Sequence, residues 1–354
     1  MSQTNNLSSL YPDLGKSLER ENLGDLPTPA RDIAVDHPSG RRLISVKYDN
    51  LTGELYGGNK VRKLEYLLHR AREKHRRRIA TFGTAGSNHA LATALYSRLL
   101  GLDCTCFLSH QSKTPMAPAT LNMHIENGTE LVEFGGSYAS RVATLRQSLW
   151  GRNAWVIAGG GSSWLGAVGF VNAGLELAEQ VSSGIVSLPD RLYVATGTMG
   201  TAAGLAVGLA LAGLETQVEA VRVSEPGIMN EKALHRLIGK TASMLRRIDN
   251  TVPGDLESRT NIVVRHDFFA GGYAKTDAVT DAAVTFARDH LDIDLETTYT
   301  GKAMAALLSD LDDPELADKN VLFWNTYSSS ELPVPDDEPL DRNALPAGFM
   351  RYFD

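Results

Sequence analysis

The sequence predicts an α/β protein with mostly parallel sheets, and two observations support this fold class. Short apolar runs recur along the chain, and many are apolar at consecutive positions, as in strands covered on both faces. Helical patterns lie between these runs, for example Val61, Leu64, Leu67 and Leu68, which share one helix face. The predicted strands are 43–48, 79–82, 104–108, 130–134, 154–158, 192–195, 218–223, 261–265 and 321–324.

Length and composition restrict the possible classes of protein. With 354 residues and 43% hydrophobic residues, the chain is globular and long enough for about two domains. A formal net charge of −7 argues against nucleic acid as a partner. The longest small and apolar run, 205–214, is far shorter than the roughly 18 residues of a membrane span, and residues 1–16 lack a signal-peptide pattern. We therefore expect a cytoplasmic protein that binds neither nucleic acid nor membrane.

The cysteines and the C-terminal region have simple interpretations. Cys104 and Cys106 are two positions apart in an apolar run, so a strand would place both on one face. We expect a buried, reduced pair rather than a disulfide framework. The stretch Pro333–Pro346 is rich in proline and aspartate and predicts an irregular C-terminal extension.

The turn Gly57-Gly58-Asn59-Lys60 is the first of three loops with candidate chemistry. Asn59 is a candidate N-cap, and a helix is predicted to begin at Lys60 or Val61. Lysine is electrostatically unfavourable at a helix start, and the positive helix end lowers the pKa of its amine. Lys60 is therefore a candidate for a neutral amine or a Schiff base, although an exposed lysine explains this loop alone equally well.

The second loop runs from Gly83 to His89, between a predicted strand and a helix rich in alanine and leucine. Ser87 or Asn88 can cap that helix, and the free amides at its start suit an anion such as a carboxylate. An ordinary capped turn is the alternative interpretation. His89 taken alone is more often structural than catalytic.

The third loop is Thr196-Gly197-Thr198-Met199-Gly200-Thr201, after a predicted strand and at the start of a helix. This order is typical of a phosphate cradle, although the loop is neither a P-loop nor a strict G-x-G-x-x-G motif. We expect amides and hydroxyls to hold the phosphate without a cation. Glu225 follows the next strand and could bind a dinucleotide ribose, which leaves a nicotinamide-dependent oxidoreductase as an alternative.

The three loops together fit pyridoxal phosphate, which has an aldehyde for a lysine, a phosphate for a glycine loop and amino-acid substrates with a carboxylate. The sequence resembles the D-cysteine desulfhydrase and 1-aminocyclopropane-1-carboxylate deaminase group of fold type II pyridoxal-phosphate enzymes. The resembling segments are 57–60, 62–65, 86–89, 159–169, the loop at Gly197, Gly272-Tyr273, 299–304 and 323–326.

The resemblance implies a two-domain, tryptophan synthase β-like fold with mostly parallel twisted sheets and helices on both faces. The small domain would be 63–168, and the large domain would be 1–62 with 169–354. A homodimer that acts on a small amino-acid substrate is implied as well. No metal is expected.

The resemblance also implies roles at the matched positions. Lys60 would bond covalently to the cofactor and move protons at the substrate Cα. Asn88 would bind the cofactor ring oxygen, and Thr326 would face the pyridine nitrogen. Acid, base or positioning groups would be Ser87, Tyr273 and Tyr299, of which Tyr299 would also contact substrate. The substrate carboxylate would lie on Ser87, Asn88 and His89, and the phosphate on Gly197, Thr198, Met199, Gly200 and Thr201.

Two departures from the family pattern bear on the reaction. Thr300 stands where the deaminase branch has glutamate, which favours the desulfhydrase-like branch, and Tyr327-Ser328 replace two glycines. We expect β-elimination from D-cysteine to pyruvate, sulfide and ammonia. Alternatives are the deaminase reaction, elimination from another β-substituted amino acid such as cysteate, and a non-catalytic amino-acid-binding protein.

Overall fold

The computed structural model describes residues 6–38, 40–316, 318–328 and 344–353, which form two sheets with helices on their faces. The strands are β1 (Ala30–His37), β2 (Gly40–Lys47), β3 (Arg78–Thr84), β4 (Asp103–Ser109), β5 (Glu130–Glu133), β6 (Ala154–Val156), β7 (Arg191–Thr196), β8 (Gln217–Arg222), β9 (Ile262–Arg265) and β10 (Val321–Trp324). The helices are α1 (Asn6–Leu10), α2 (Pro12–Ser17), α3 (Lys60–Glu73), α4 (Asn88–Leu99), α5 (Met116–Glu126), α6 (Tyr138–Leu149), α7 (Trp164–Ser182), α8 (Gly200–Leu211), α9 (Glu231–Ile248), α10 (Ala278–Leu291) and α11 (Thr300–Leu311).

The smaller sheet has the order β5-β4-β3-β6, and all its strand pairs are parallel. The larger sheet has the order β1-β2-β10-β7-β8-β9, and its strands are parallel except for the β1–β2 hairpin. All nine predicted strands are present, and the predicted α/β fold class is confirmed. The carboxyl ends of β3, β4, β7, β8 and β10 lie next to the loops that carry the candidate chemistry.

Strand β1 is missing from the sequence prediction. Its burial alternates irregularly, and Arg31, Asp32 and Asp36 interrupt its apolar residues. Within the described ranges it pairs with β2 alone, at the end of the larger sheet, where a strand needs no continuous apolar run. A search for continuous apolar runs therefore overlooks it.

Two long helices connect the strands of one sheet to those of the other along the chain. Helix α3 contains position 63 and α7 contains position 168, and the two helices pack against each other. The domain limits at these positions stay a prediction, because each one falls inside a continuous helix.

Three smaller predictions have different outcomes. Cys104 and Cys106 are buried and free, with their Sγ atoms 3.8 Å apart, as predicted. Among the described residues, no helix is both long and apolar enough to cross a membrane. Most of the Pro333–Pro346 stretch, up to residue 343, lies outside the described residues.

Candidate active site

A cavity of about 500 Å³ lies at the carboxyl ends of strands from both sheets. Strand β3 leads into it at Thr84, β7 at Thr196 and β10 at Thr326. Open parallel sheets bind their ligands at this edge. The three loops predicted from sequence meet here, and nearly every predicted site residue lines the cavity. These are Lys60, Ser87, Asn88, His89, Gly197, Thr198, Met199, Thr201, Tyr273, Tyr299 and Thr326.

Lys60 is the first residue of α3 and faces the cavity. Its Nζ donates to Asn59 Oδ1 at 2.7 Å, and the Asn59 Nδ2 donates to Thr201 Oγ1 at 3.0 Å. Asn59 occupies the N-cap position but makes no side-chain cap bond, so its amide orients the lysine rather than capping the helix. Burial lowers the pKa of Lys60 to about 8, against an opposing contribution from Glu296. The structure thus supplies a lysine amine that loses its proton easily.

The turn before Lys60 requires glycine. Gly58 has a φ of +85°, and a Cβ there would lie 2.8 Å from the Thr326 carbonyl oxygen. The backbone N–H of Asn59 donates to that same carbonyl, and the backbone N–H of Gly57 donates to Ser328 Oγ at 3.0 Å. The segment 326–328 therefore fixes the turn that carries Lys60, and Tyr327 lines the cavity between these two contacts.

Lys63, one turn after Lys60, is a functional candidate that sequence reasoning missed. Its Nζ donates to the Gly160 carbonyl at 3.1 Å and would lie 3.1 Å from a Cβ at Gly200. We expected amides and hydroxyls to hold the phosphate without a cation, and α3 places this amine beside the same loop. Burial and the neighbouring Lys60 hold the pKa of Lys63 well below its usual range. The spacing of three residues on one helix could have indicated a shared face.

The glycine loop has the form of an anion cradle. Met199 has a φ of +69° immediately before α8, a strained conformation of the kind that clusters at ligand clamps. A Cβ at Gly200 would lie 2.7 Å from Ser162 Oγ, so only glycine leaves this space open. The Gly200 amide donates to Ser162 Oγ at 3.0 Å, and that hydroxyl donates to Thr198 Oγ1 at 2.8 Å. Ser162 is a further polar group at the cradle that sequence reasoning did not single out.

The loop before α4 forms a second polar wall. Ser87 caps α4 by accepting a hydrogen bond from the Ala90 amide at 3.2 Å, as predicted. Asn88 Oδ1 accepts from the Tyr56 hydroxyl at 3.0 Å. His89 Nε2 lies 2.9 Å from Thr81 Oγ1, and burial with the nearby Lys60 and Lys63 holds its pKa well below the usual range. The imidazole is therefore neutral, which makes it a polar rather than a charged neighbour for an anion.

Tyr273 and Tyr299 meet in the cavity, with their hydroxyl oxygens 2.5 Å apart. Burial raises the pKa of both phenols, so both are protonated at neutral pH. Lys302 supports this pair, because its buried Nζ donates to the Phe269 and Gly272 carbonyls at 2.8 and 3.1 Å. The two tyrosines form a fixed pair of hydroxyl groups that can donate a proton.

Glu296 is a second candidate that sequence reasoning missed. Its carboxylate lines the cavity and accepts hydrogen bonds from the amides of Thr298, Tyr299 and Thr300 at the start of α11. Burial raises its pKa. Although Thr300 stands where the deaminase branch has glutamate, Glu296 supplies a carboxylate to this wall of the cavity. The fully buried Thr300 does not face the cavity, and its Oγ1 donates to Glu296 Oε1 at 3.0 Å.

A lysine amine with a lowered pKa beside a glycine-rich anion cradle defines the class of enzymes that hold a carbonyl cofactor on a lysine. The sequence profile of the pyridoxal-phosphate-dependent enzymes matches residues 22–326, and the chain belongs to this family. The family assignment removes the nicotinamide-dependent and non-catalytic alternatives.

Named relatives cover most of the chain. The nocardicin C-9′ epimerase of Nocardia uniformis subsp. tsuyamanensis is 33% identical over 88% of this chain and 95% of its own. A D-cysteine desulfhydrase of Klebsiella pneumoniae is 31% identical over 86% of this chain and 93% of its own. A solved structure of a homologue of 1-aminocyclopropane-1-carboxylate (ACC) deaminase superposes with a TM-score of 0.72 at 25% identity, covering 93% of this chain and 96% of its own. The predicted fold type II architecture is thereby confirmed.

The residues present fit pyridoxal phosphate. The space that a Cβ at Gly200 would fill, bordered by Lys63 Nζ and Ser162 Oγ, suits a phosphate dianion. Lys60, with its pKa lowered to about 8, suits the covalent attachment of an aldehyde. Two separate ends of the cavity therefore match the phosphate and the aldehyde of the cofactor.

Proposed function

We propose that this enzyme eliminates the β-substituent of a small amino acid, with D-cysteine as the nominal substrate. One D-cysteine and one water give pyruvate, sulfide and ammonia: the Cα–H and Cβ–S bonds break, and water replaces the amino group. The observation that carries the proposal is the Lys60 amine with a pKa of about 8 inside the cavity. The named desulfhydrase relatives, at 31% and 32% identity, support this choice of reaction.

Lys60 is the proposed base for the Cα proton. A base is most effective when its pKa lies near the working pH, and an ordinary lysine lies well above that range. When bound, the cofactor supplies the electron sink that stabilises the charge left at Cα. The Asn59 side chain, held by Thr201, keeps the Lys60 amine in place between transfers.

The walls of the cavity have separate proposed tasks. The amides at the start of α4, with Ser87 and Asn88, bind the substrate carboxylate, because that helix end carries the positive dipole. The Gly197–Thr201 loop and Lys63 would hold the phosphate, and Thr326 would contact the cofactor ring. The Tyr273–Tyr299 pair donates a proton on the substrate side. Lys60 removes a proton, and the tyrosines return one.

A substrate panel tests the reaction. The holoenzyme is assayed with both enantiomers of cysteine, β-chloroalanine and cysteate, and with the cyclopropane substrate of the deaminase reaction, for pyruvate, ketobutyrate and ammonia. We expect pyruvate from D-cysteine or β-chloro-D-alanine and little ketobutyrate. Faster ring opening than β-elimination would contradict the proposal and favour the deaminase reaction.

Epimerisation is a second candidate, favoured by the protonated Tyr273–Tyr299 pair and by the 33% identical epimerase. A base and a separate proton donor at one carbon can invert its configuration. Incubation of a D-amino acid without a β-leaving group in D₂O distinguishes the two reactions. Recovery of deuterated L-enantiomer would support epimerisation, whereas exchange with retained configuration would contradict it, because the proton then leaves and returns on one face of Cα.

The cellular context is part of the proposal. Two free, buried cysteines support a reducing compartment such as the cytoplasm. The family resemblance supports a homodimer, which sedimentation of the purified protein would test. The limits of the small domain, 63–168, are likewise proposed from the resemblance.

A further inference from the structure

The outer part of the cavity is lined by residues that neither the cofactor nor cysteine needs. Phe82 and Phe134 lie on the smaller-sheet side, and Ile228 lies on the larger-sheet side with 53% of its surface exposed. The ring centroids of Phe82 and Phe134 are 5.4 Å apart, and both rings contact the buried Phe107. Cysteine carries only one methylene and one sulfur beyond Cα, so its side chain does not account for an aromatic wall.

Arg141 adds one positive charge to this outer part. It lies in the first turn of α6, lines the cavity, and holds its Cζ 5.6 Å from the Phe134 ring centroid. In the described part of the chain no carboxylate lies within ion-pair distance of its guanidinium. Helix α6 buries none of its residues, so packing in the core does not explain the position of this side chain.

The other charged groups of the cavity already have partners or tasks, with one exception. Lys60 contacts Asn59, Lys63 contacts the Gly160 carbonyl, and Glu296 accepts from three amides. The exception is Glu225, which lines the larger-sheet side near Ile228. Among the described residues that line the cavity, Arg141 is thus the cation that remains for a ligand, and Glu225 is the group that opposes an anion.

We propose that the outer cavity binds the leaving group of the substrate. This leaving group is a thiol whose sulfur carries an aromatic group that ends in a carboxylate. The inference rests on the proposed β-elimination. The aromatic body packs on Phe82, Phe134 and Ile228, and Arg141 binds the terminal carboxylate through charge-assisted hydrogen bonds. One S-substituted cysteine and one water then give one pyruvate, one ammonium ion and one free thiol. The Cα–H and Cβ–S bonds break, and the departing sulfur takes up a proton.

The kinetic test compares three S-substituted D-cysteines with D-cysteine on the holoenzyme. The substituents are 4-carboxybenzyl, benzyl and 4-(aminomethyl)benzyl. We expect kcat/KM to be about tenfold higher for the carboxybenzyl than for the benzyl compound, mainly through KM. Arg141→Ala should remove that preference, and Arg141→Lys should keep part of it. Arg146→Ala, on the same helix but outside the cavity lining, is the matched control and should change nothing.

A binding measurement separates this inference from the reaction itself. The ligand is the 4-carboxybenzyl compound with CH₂ in place of sulfur, which cannot undergo the elimination, and calorimetry measures its affinity for wild-type, Arg141→Ala and Arg146→Ala holoenzymes. A loss of about tenfold for Arg141→Ala alone supports the outer site even if no pyruvate forms from any substrate. Equal affinities for the three proteins would overturn it, and so would a higher kcat/KM for the aminomethyl compound than for the carboxybenzyl compound. Turnover of D-cysteine would leave the proposed function standing in either case.

Discussion

Lys60, Arg62 and Lys63 lie within one turn of α3, yet in the described part of the chain Arg62 pairs with carboxylates and the two lysines do not. Arg62 Nε lies 3.0 Å from Asp49 Oδ2, and its Nη1 lies 2.9 Å from Glu176 Oε2. Burial opposes its charge, but the two carboxylates more than compensate and raise its pKa. Burial lowers the pKa of both lysines, and neither has a carboxylate within ion-pair distance in the described chain.

This difference separates Arg62, a structural anchor, from Lys60 and Lys63, which are available for chemistry. A paired buried cation is held firmly, and removal of one partner leaves an uncompensated charge. An unpaired buried amine destabilises the empty protein but is ready to bind an anion or exchange a proton. Arg62 also ties α3 to Asp49, whose backbone carbonyl accepts from the Gly58 amide beside Lys60. The same helix turn therefore carries the reactive group and the anchor that positions it.

Replacement of Lys60 is expected to have the largest effect. Lys60→Ala removes the proposed base, and elimination should fall by at least about 10³-fold. Lys74→Ala, an exposed lysine just after α3, is the matched control and should retain full activity. In the wild-type protein, borohydride reduction followed by peptide mapping should place the cofactor on Lys60. A label on Lys63 or Lys302 would contradict the assignment.

Replacement of Arg62 should act on stability instead. Arg62→Leu leaves Asp49 buried without its cation, while Glu176 keeps Lys47, and we expect a loss of about 3–5 kcal/mol in the free energy of unfolding. Urea denaturation of the cofactor-free protein measures it, and Arg62→Lys should lose less because it keeps a charge. A loss below 1 kcal/mol for Arg62→Leu would show that the network is not an anchor.

Replacement of Lys63 should change stability in the opposite direction. Lys63→Met removes an amine whose hydrogen-bond partner among the described residues is a carbonyl, and the cofactor-free protein should gain about 1–3 kcal/mol. Its affinity for pyridoxal phosphate should fall about 10- to 100-fold, since a charge-assisted contact to the phosphate is lost. Spectroscopic titration measures the affinity. Unchanged affinity in a well-folded variant would remove Lys63 from the phosphate site.

The sequence predicted most of the fold because parallel strands buried on both faces are apolar throughout. Strands β7 and β10 have almost uniformly buried residues, and their apolar runs are visible without any partner. Strand β1 could not be found in this way, because it lies at a sheet edge and its charged side chains reach solvent. Edge strands depend on one neighbour, which single-sequence patterns do not show.

The sequence predicted the loops of the site better than their side-chain partners. The turns of the site are visible in the sequence because they are rich in glycine, and Lys60 is conspicuous because it lies at a helix start. Glu296 and Lys63 did not, because their roles depend on which way α11 and α3 face in the assembled fold. Asn59 has the sequence of a helix cap, yet its amide is used by Lys60 and Thr201. Contacts between distant segments decide these roles.

His124 extends the comparison to a buried base away from the cavity, and it should show the smallest effect. It lies fully buried in α5, and neither ring nitrogen has a hydrogen-bond partner among the described residues. Burial lowers its pKa to about 3, whereas an unfolded histidine titrates near 6.5. At a pH between these two pKa values, His124 is therefore protonated in the unfolded chain and neutral in the folded chain. Stability from this residue is complete above pH 6.5 and falls as the pH drops toward 3.

The expected loss from His124 is about 1 kcal/mol between pH 6.5 and 5.5. The chain has nine histidines, so the measurement must be a difference that isolates one of them. The free energy of unfolding of wild-type protein minus that of His124→Asn, followed by urea denaturation, should decline across this window. His75→Asn, at an exposed histidine, is the matched control. If both differences have the same pH dependence, His124 is not the neutral buried base that the fold implies. A decline confined to His124 would show that an unpaired buried base lowers stability on protonation even where no catalysis requires it.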